Sequence, residues 1–265
     1  MKEILKEFYL SEYCRIKIDE IEINKIINRD TINYEDALIF AYLKGRLEGF
    51  IYDGNIRQVV IDEAQDYNRL QYIIINHIFK KADFTILGDI NQNINPYYHY
   101  NSLNDLSSLF EGDTKYIELL KTYRSSPEII NYTNKILNLN HVNAIRKDNN
   151  KPVIIRKGVD VTTSIINDIN TLQKEYKSTA VITKDMKEAE NLYEKIKDKV
   201  DISLVDHNTK SFHKDLVIMP AYVSKGLEFD SVIVYNNRDN SYKNNERNLL
   251  YVACTRAQHE LYIYN

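Results

Sequence analysis

The sequence predicts an α/β protein whose parallel sheets are flanked by helices. Two observations carry this reading. First, from Val153 onward short runs rich in β-branched residues alternate with amphipathic stretches of helical length. Strands alternating with helical patterns of about 10–15 residues are the signature of a parallel sheet. Second, Val59-Val60-Ile61 runs straight into Asp62-Glu63-Ala64-Gln65-Asp66. A strand buried on both faces is apolar along its length. In an open α/β sheet, ligands sit just past the carboxyl ends of such strands.

The elements follow in order. Residues 1–50 read as helical, with Leu5, Phe8 and Tyr9 and then Ala37, Leu38, Phe40, Ala41 and Leu43 at roughly helical spacing. Thr31 or Asn33 is the candidate cap of the second helix. After the strand at Gln58 to Asp62, Leu70, Ile73, Ile74, His77 and Ile78 mark a helix face. Phe84 to Leu87 is a short strand closing on Gly88-Asp89, and Lys115 to Leu120 reads as the next one. Pro127 opens a helix in its first turn. Asn138 to Lys151 is polar and aperiodic, the best candidate for a linker or long loop. Beyond it come strands at Val153–Arg156, Thr179–Thr183, Ile202–Val205, Leu216–Met219, Ser231–Tyr235 and Leu261–Tyr264. Helices are expected from about Thr162 to Glu175, Met186 to Lys197 and Asn245 to Ala257.

Bulk properties narrow the function. The chain has 265 residues, 43% hydrophobic and 28% charged, with a net charge of −3. No global basic field draws it to nucleic acid, so any such contact must be local. Its two cysteines, Cys14 and Cys254, suggest neither a disulfide framework nor a metal site, and a reducing cytoplasm is the expected setting. No run of about 18 apolar residues suggests a membrane span. The absence of Trp beside 21 Tyr reads as AT-rich coding bias.

Several stretches place polar groups beside strand ends or on helix starts. An acid such as Asp62 can hold Mg²⁺, and its neighbour Glu63 can orient or deprotonate a water. The same acids at a helix N-terminus could merely complement the helix dipole, and alone the two readings are even. Gly88-Asp89-Ile90-Asn91-Gln92 allows a tight turn, with Gln92 able to bond a phosphate or a water; a plain turn is the simpler alternative. Arg124 offers fork-shaped donors to a phosphate and Tyr123 a flat face to a base. In Ser224-Lys225-Gly226-Leu227-Glu228-Phe229, Gly226 lets backbone approach a ligand and Glu228 can accept from a ribose hydroxyl. Leu250 to Ala257 looks like a buried helix ending in Arg256, whose charge needs a partner that a phosphate could supply.

Together, and in this order, these stretches resemble the UvrD/Rep type of superfamily 1 helicases over about residues 30–265. Asp62-Glu63-Ala64-Gln65-Asp66 resembles the Walker B motif, and Gly88-Asp89-Ile90-Asn91-Gln92-Asn93-Ile94 the coupling motif. Thr122-Tyr123-Arg124-Ser125 resembles the arginine motif, Lys225-Gly226-Leu227-Glu228-Phe229 motif V, and Leu250 to Ala257 motif VI. The HelD-like, RNA-polymerase-associated branch is nearest, on Ile32-Asn33-Tyr34-Glu35-Asp36-Ala37, Phe84-Thr85-Ile86-Leu87-Gly88-Asp89 and Pro220-Ala221-Tyr222. Most of the family has a histidine where this chain has Tyr222.

The resemblance implies a P-loop NTPase of RecA-like domains, with an incomplete first domain over 1–121 and a second over 122–265. It implies ATP and Mg²⁺ as cofactors. Asp62 would hold the metal through water, Glu63 would polarise the attacking water, and Gln92 would sense the γ-phosphate. Arg124 and Arg256 would act as arginine fingers. Tyr123 would stack on adenine, Glu228 would meet the ribose, and Gln65 and Gly226 would lie with the nucleotide-binding residues. Tyr97 falls near a position where the family stacks an aromatic on single-stranded DNA; a tyrosine packed on its own domain is an equal alternative.

One part is missing. Gly-x-x-x-x-Gly-Lys-Ser/Thr, the loop that cradles phosphates, does not occur: there are seven glycines and none precedes a lysine. The chain therefore reads as the C-terminal part of a longer DNA helicase or translocase, inactive alone, whose N-terminal part carries that loop. Partners would be single-stranded or duplex DNA and RNA polymerase. The stretch from Arg124 to Lys225 leaves no room for the large inserted subdomain of the Rep type. A non-catalytic polymerase- or DNA-binding module derived from such a helicase is the alternative. An unrelated α/β nucleotide-binding protein is a third reading.

Overall fold

The computed structural model describes residues 34–110, 112–139, 142–147, 151–157, 160–209 and 215–265. The helix expected around Leu5, Phe8 and Tyr9, and the cap at Thr31 or Asn33, lie outside the described residues. The chain forms two compact units, Met1–Ile90 with Tyr97–Lys115, and Asn91–Pro96 with Tyr116–Asn265.

In the first unit, helix α1 (Tyr34–Glu48) precedes strand β1 (Gln58–Ile61), helix α2 (Arg69–Ile78) and strand β2 (Asp83–Ile86). β1 and β2 pair in parallel from Gln58↔Asp83 to Ile61↔Ile86. Asn68 opens α2 with a capping box: its side chain accepts from the Gln71 N–H while the Gln71 side chain accepts from the Asn68 N–H. Ile61, Ala64, Tyr72 and Leu106 form the buried core, with Phe84 and Phe110 packed on it at a ring separation of 4.7 Å.

β1 departs from the expected doubly buried strand. Ile61 is buried, but Val60 is 61% exposed. The core lies on one face of this two-stranded ladder, so successive side chains alternate between core and solvent.

The second unit is built on six parallel strands in the order β5-β10-β9-β6-β8-β7. They are β5 (Ile154–Arg156), β6 (Thr179–Thr183), β7 (Ser203–Leu204), β8 (Leu216–Pro220), β9 (Phe229–Tyr235) and β10 (Ala257–Tyr264). The period-two pattern divides the core in two. Ala180, Ile182, Val217, Met219, Val232 and Val234 face helices α3 (Pro127–Leu137) and α6 (Arg247–Cys254). Val181, Leu216, Ile218, Ile233, Tyr262 and Tyr264 face helices α4 (Val161–Leu172) and α5 (Met186–Ile196). Central strands buried on both faces account for the continuous apolar runs in β6 and β8. The sheet and its flanking helices are the RecA-like α/β arrangement expected.

Two expectations need correction. Lys115 to Leu120 is not a strand; among the described residues the ladder there is β3 (Lys121–Thr122), paired with β4 (Asn143–Ala144). Alternation and β-branching favour a strand only where a partner supplies hydrogen bonds, and here β4 spans just two residues. Leu119 is left 83% exposed. Conversely, the stretch Asn138 to Lys151, expected as a loop, contributes β4. Helix α6 is also shorter than expected, because Ala257 already belongs to β10.

Burial fixes what single truncations cost. Ile218→Ala, in fully buried β8, is expected to lower unfolding free energy by about 2–5 kcal/mol. Leu119→Ala is expected to change it by no more than about 0.5 kcal/mol. Urea denaturation followed by circular dichroism checks both; equal losses would contradict the assignment of residues 115–120 to an exposed segment.

Candidate functional site

The first unit carries the paired acids. Asp62 is exposed at the end of β1, and its Oδ1 accepts from the Glu63 N–H at 2.8 Å. Glu63 takes a left-handed conformation, φ 49° and ψ 42°. For a residue other than glycine this costs of order 1–3 kcal/mol and is held by its surroundings. Those surroundings are specific. Gln65 is fully buried; its Nε2 donates to Glu63 Oε2 at 2.6 Å and its Oε1 accepts from the Asp89 N–H at 2.9 Å.

Gly88 makes this possible. A Cβ there would lie 2.6 Å from Gln65 Oε1 and 3.0 Å from the Ala64 nitrogen. The backbone is stitched as well: Leu87 N–H donates to Ile61 O and Ala64 N–H to Leu87 O, both at 2.8 Å. The result is a rigid turn presenting both acids to an open hollow of about 350 Å³, lined by Asp62, Glu63, Asp66, Tyr67 and Gln71.

Hard carboxylate oxygens on an exposed turn suit Mg²⁺, which keeps several waters and takes one or two protein carboxylates. Among the described residues no group of three or more His, Cys, Asp or Glu could hold a metal ion. Asp62 therefore fits an ion whose remaining ligands are water and phosphate oxygens, and fits no all-protein cage.

The tyrosine loop is tied to the same turn. The Tyr98 hydroxyl donates to the Asp66 carbonyl, and the Tyr100 hydroxyl to the Tyr67 carbonyl at 2.7 Å. Tyr97, just before these anchors in sequence, is 91% exposed.

The second unit carries the arginines. Arg256 follows α6 and is fully buried. Its Nε donates to Val252 O at 3.0 Å and its Nη1 to Leu227 O at 3.1 Å. Its Nη2 donates to Gln92 Oε1 at 2.9 Å and Thr255 Oγ1 at 3.2 Å. One guanidinium thus binds the Gly226 turn (φ 77°), the end of α6 and Gln92. Arg256 O in turn accepts from the Phe229 N–H at 2.9 Å. Charge buried this way is costly unless every N–H finds an acceptor, and the fork is matched by acceptors from three chain segments.

Arg124 is more accessible. Its Nε donates to Glu228 Oε2 at 2.7 Å, and this bond, chiefly, holds the Glu228 carboxyl below the usual glutamate range. Tyr123 beside it is 72% exposed. Ser125 Oγ donates to Ala257 O at 2.6 Å and Ser126 N–H to Gln258 O at 3.0 Å, fastening the Arg124 turn to the segment after Arg256.

Each unit therefore assembles its own share of the expected residues. The first holds Asp62, Glu63, Gln65 and Tyr97; the second holds Gln92, Tyr123, Arg124, Gly226, Glu228 and Arg256. No local pattern signals that Gln65 is buried between Glu63 and Asp89, or that Glu228 pairs with Arg124. Nor does any pattern mark Arg146, which bonds to Arg124 O, Gln258 O and His259. Arg146 sits in the polar stretch read as a loop, where charge is the default and carries no signal.

The Arg124–Glu228 pair sets a pH dependence. A carboxyl with a depressed folded pKa adds stability above its unfolded pKa, and that stability disappears as pH falls through the folded one. Glu228→Gln is thus expected to lower the unfolding midpoint slightly at pH 7, a difference that fades as the pH falls through the depressed range of the folded carboxyl. The contribution is small because both side chains are partly solvated. Thermal unfolding of both proteins across this range checks it; a gap that widens in acid would contradict it.

Residues 50–115 match the UvrD/REP helicase N-terminal domain, and residues 215–264 the UvrD-like helicase C-terminal domain. The chain is 37% identical over 82 residues to ATP-dependent DNA helicase srs2 of Schizosaccharomyces pombe, a match covering 29% of this chain and 9% of that protein. It is 36% identical over 86 residues to an ATP-dependent helicase/nuclease of Syntrophomonas wolfei, covering 29% and 7%. The matched stretches thus span under a tenth of either relative. The C-terminal domain of a possible DNA helicase from Lactobacillus strain WCFS1 superposes with a TM-score of 0.45 at 29% identity, over 54% of this chain and 86% of that one. The PRRSV helicase superposes with a TM-score of 0.44 at 16% identity, over 79% and 35%. The chain is thus similar to UvrD-type helicase domains in two stretches, residues 50–115 and residues 215–264, which together make up less than half of it.

Proposed function

We propose that this chain is the C-terminal part of an ATP-dependent DNA helicase or translocase, working in the cytoplasm and belonging to the HelD-like branch. The observation that carries the proposal is the strained, braced turn at Glu63. A left-handed glutamate held by a buried glutamine beside an exposed aspartate is an arrangement that folding alone does not require. It suits an acid that must orient a water. In this reading Asp62 holds Mg²⁺, Glu63 orients the attacking water, and Gln92 reports the γ-phosphate to Arg256. Arg124 and Arg256 neutralise charge on the transferring phosphoryl group. Tyr123 supplies an adenine platform, and Glu228, released from Arg124, a ribose acceptor. Bound Mg²⁺ supplies electrophilic stabilisation of the phosphates. DNA is the proposed track, RNA polymerase a proposed partner, and an N-terminal region with the phosphate-cradling loop the proposed missing half.

The chain itself is expected to hydrolyse Mg·ATP no faster than background, with or without single-stranded DNA. Turnover that DNA stimulates and Glu63→Gln abolishes would overturn the claim of inactivity while supporting the residue roles. RNA polymerase retained by the chain without any nucleotide requirement would favour the binding-module alternative instead.

Tyr97 gives a separate test. Tyr97→Ala is expected to weaken binding to a single-stranded oligonucleotide by roughly 5- to 150-fold, the value of one base stack of ~1–3 kcal/mol. Its unfolding midpoint serves as the folding control. Fluorescence anisotropy reads the affinity, and an unchanged value would remove Tyr97 from the track.

A further inference from the structure

Arg146 follows β4, whose pairing with β3 ends at Thr122↔Ala144. That register carries its side chain alongside Arg124. Its Nη1 donates to Arg124 O at 2.7 Å and to Gln258 O at 3.3 Å, and its Nη2 lies 2.9 Å from His259 Nδ1. Gln258 and His259 sit in a register shift of β10 against β9, between Ala257 and Glu260. Such a bulge frees backbone groups from the ladder and re-aims side chains. Here it exposes Gln258 O, which accepts from both Ser126 N–H and Arg146.

We propose that Arg146 is the positioning residue that sets the spacing of Arg124 and Arg256, and that it does so only while the His259 ring offers a lone pair at Nδ1. The inference rests on the reading that those two arginines meet one phosphoryl group.

The chemistry of the three groups dictates the gate. A guanidinium can only donate, so the Arg146–His259 bond requires Nδ1 unprotonated and the proton on Nε2. Nε2 faces Asp230 Oδ1 at 3.9 Å. Asp230 is itself fixed through Oδ2 by the Lys177 and Ser178 N–H groups and the Ser178 hydroxyl. The ring stacks on Tyr176 with centroids 5.8 Å apart. The other charges facing it are Lys151, which disfavours the imidazolium, and Glu175, which favours it. Burial first, and Arg146 next, hold the imidazole below its ordinary titration range. At neutral pH the ring is therefore neutral and the clamp closed. A protonated Nδ1 would turn an acceptor into a donor opposite a cation, and Arg146 would release.

The test uses the 265-residue chain without nucleotide, reading imidazole ¹⁵N shifts and amide protection by NMR. Wild-type His259 is expected as the Nε2–H tautomer. Arg146→Ala should raise its titration midpoint and cut Ser126 N–H protection roughly tenfold, what one ordinary hydrogen bond sustains. Ile218 amide protection should be unaffected and serves as the folding control. Arg146→Lys, which keeps the charge but not the fork, should lose Ser126 protection yet leave the His259 midpoint nearly in place. In wild type, Ser126 protection should fall as His259 protonates; in His259→Gln, which offers an uncharged amide oxygen at all pH, it should not. Ser126 protection unchanged in Arg146→Ala, or independent of His259 titration, overturns the proposal. Mg·ATP titrations of Arg124→Gln separate the two readings. Where wild type binds Mg·ATP measurably, a variant that binds it equally well while Ser126 protection still follows Arg146 leaves the clamp standing and the nucleotide assignment fallen.

Discussion

The burial of the Arg256 guanidinium is the constraint on which the second unit's site depends. A full charge removed from water is tolerated only when its donors are matched. Here the matching acceptors come from the Gly226 turn, the last turn of α6 and Gln92. Those segments must therefore arrive together for any of them to be stable. Truncating the arginine would take one donor each from Val252 O, Leu227 O and Gln92 Oε1 in a dry interior. The same interaction explains why Gln92 belongs with the second unit although its neighbours in sequence belong to the first. Gln92 is thus hydrogen-bonded within the unit that also carries the arginines.

The first unit solves a different problem. Its acids must project from a short, half-exposed strand, and the backbone at Glu63 is turned into the left-handed region to do so. Gln65 and Gly88 make that turn affordable: one bonds to Glu63 and Asp89, the other leaves the room. The Tyr72 hydroxyl, buried and donating to Ala64 O at 2.6 Å, holds the turn from beneath. Burial pushes that phenol well above its usual range, so it remains a donor at every ordinary pH.

Much of the larger sheet could be read from the chain. The runs at Thr179–Thr183 and Leu216–Met219 are apolar because both faces of β6 and β8 are covered, and periodicity reports burial directly. The reading failed where a strand depends on a distant partner. Lys115 to Leu120 looks like a strand but lacks a ladder, whereas Asn143-Ala144 forms one inside a polar stretch. The site was legible at the level of residue type. Asp62, Glu63, Arg124 and Arg256 stand where a ligand-facing turn or a buried cation would be expected. What remained hidden were Arg146 and His259, and the bracing of Glu63 by Gln65, which act through geometry that no local pattern encodes.

The proposed function makes two sets of residues, each well organised within its own unit, parts of one ATP-hydrolysing machine, with a phosphate-cradling loop proposed to lie outside this sequence. The most direct measurement is to read the coding DNA upstream of the Met1 codon. The account predicts an open frame that continues upstream and encodes Gly-x-x-x-x-Gly-Lys-Ser/Thr. A stop codon and ribosome-binding site immediately before Met1 would contradict it, leaving the braced acids and the clamped arginines to serve a binding role instead.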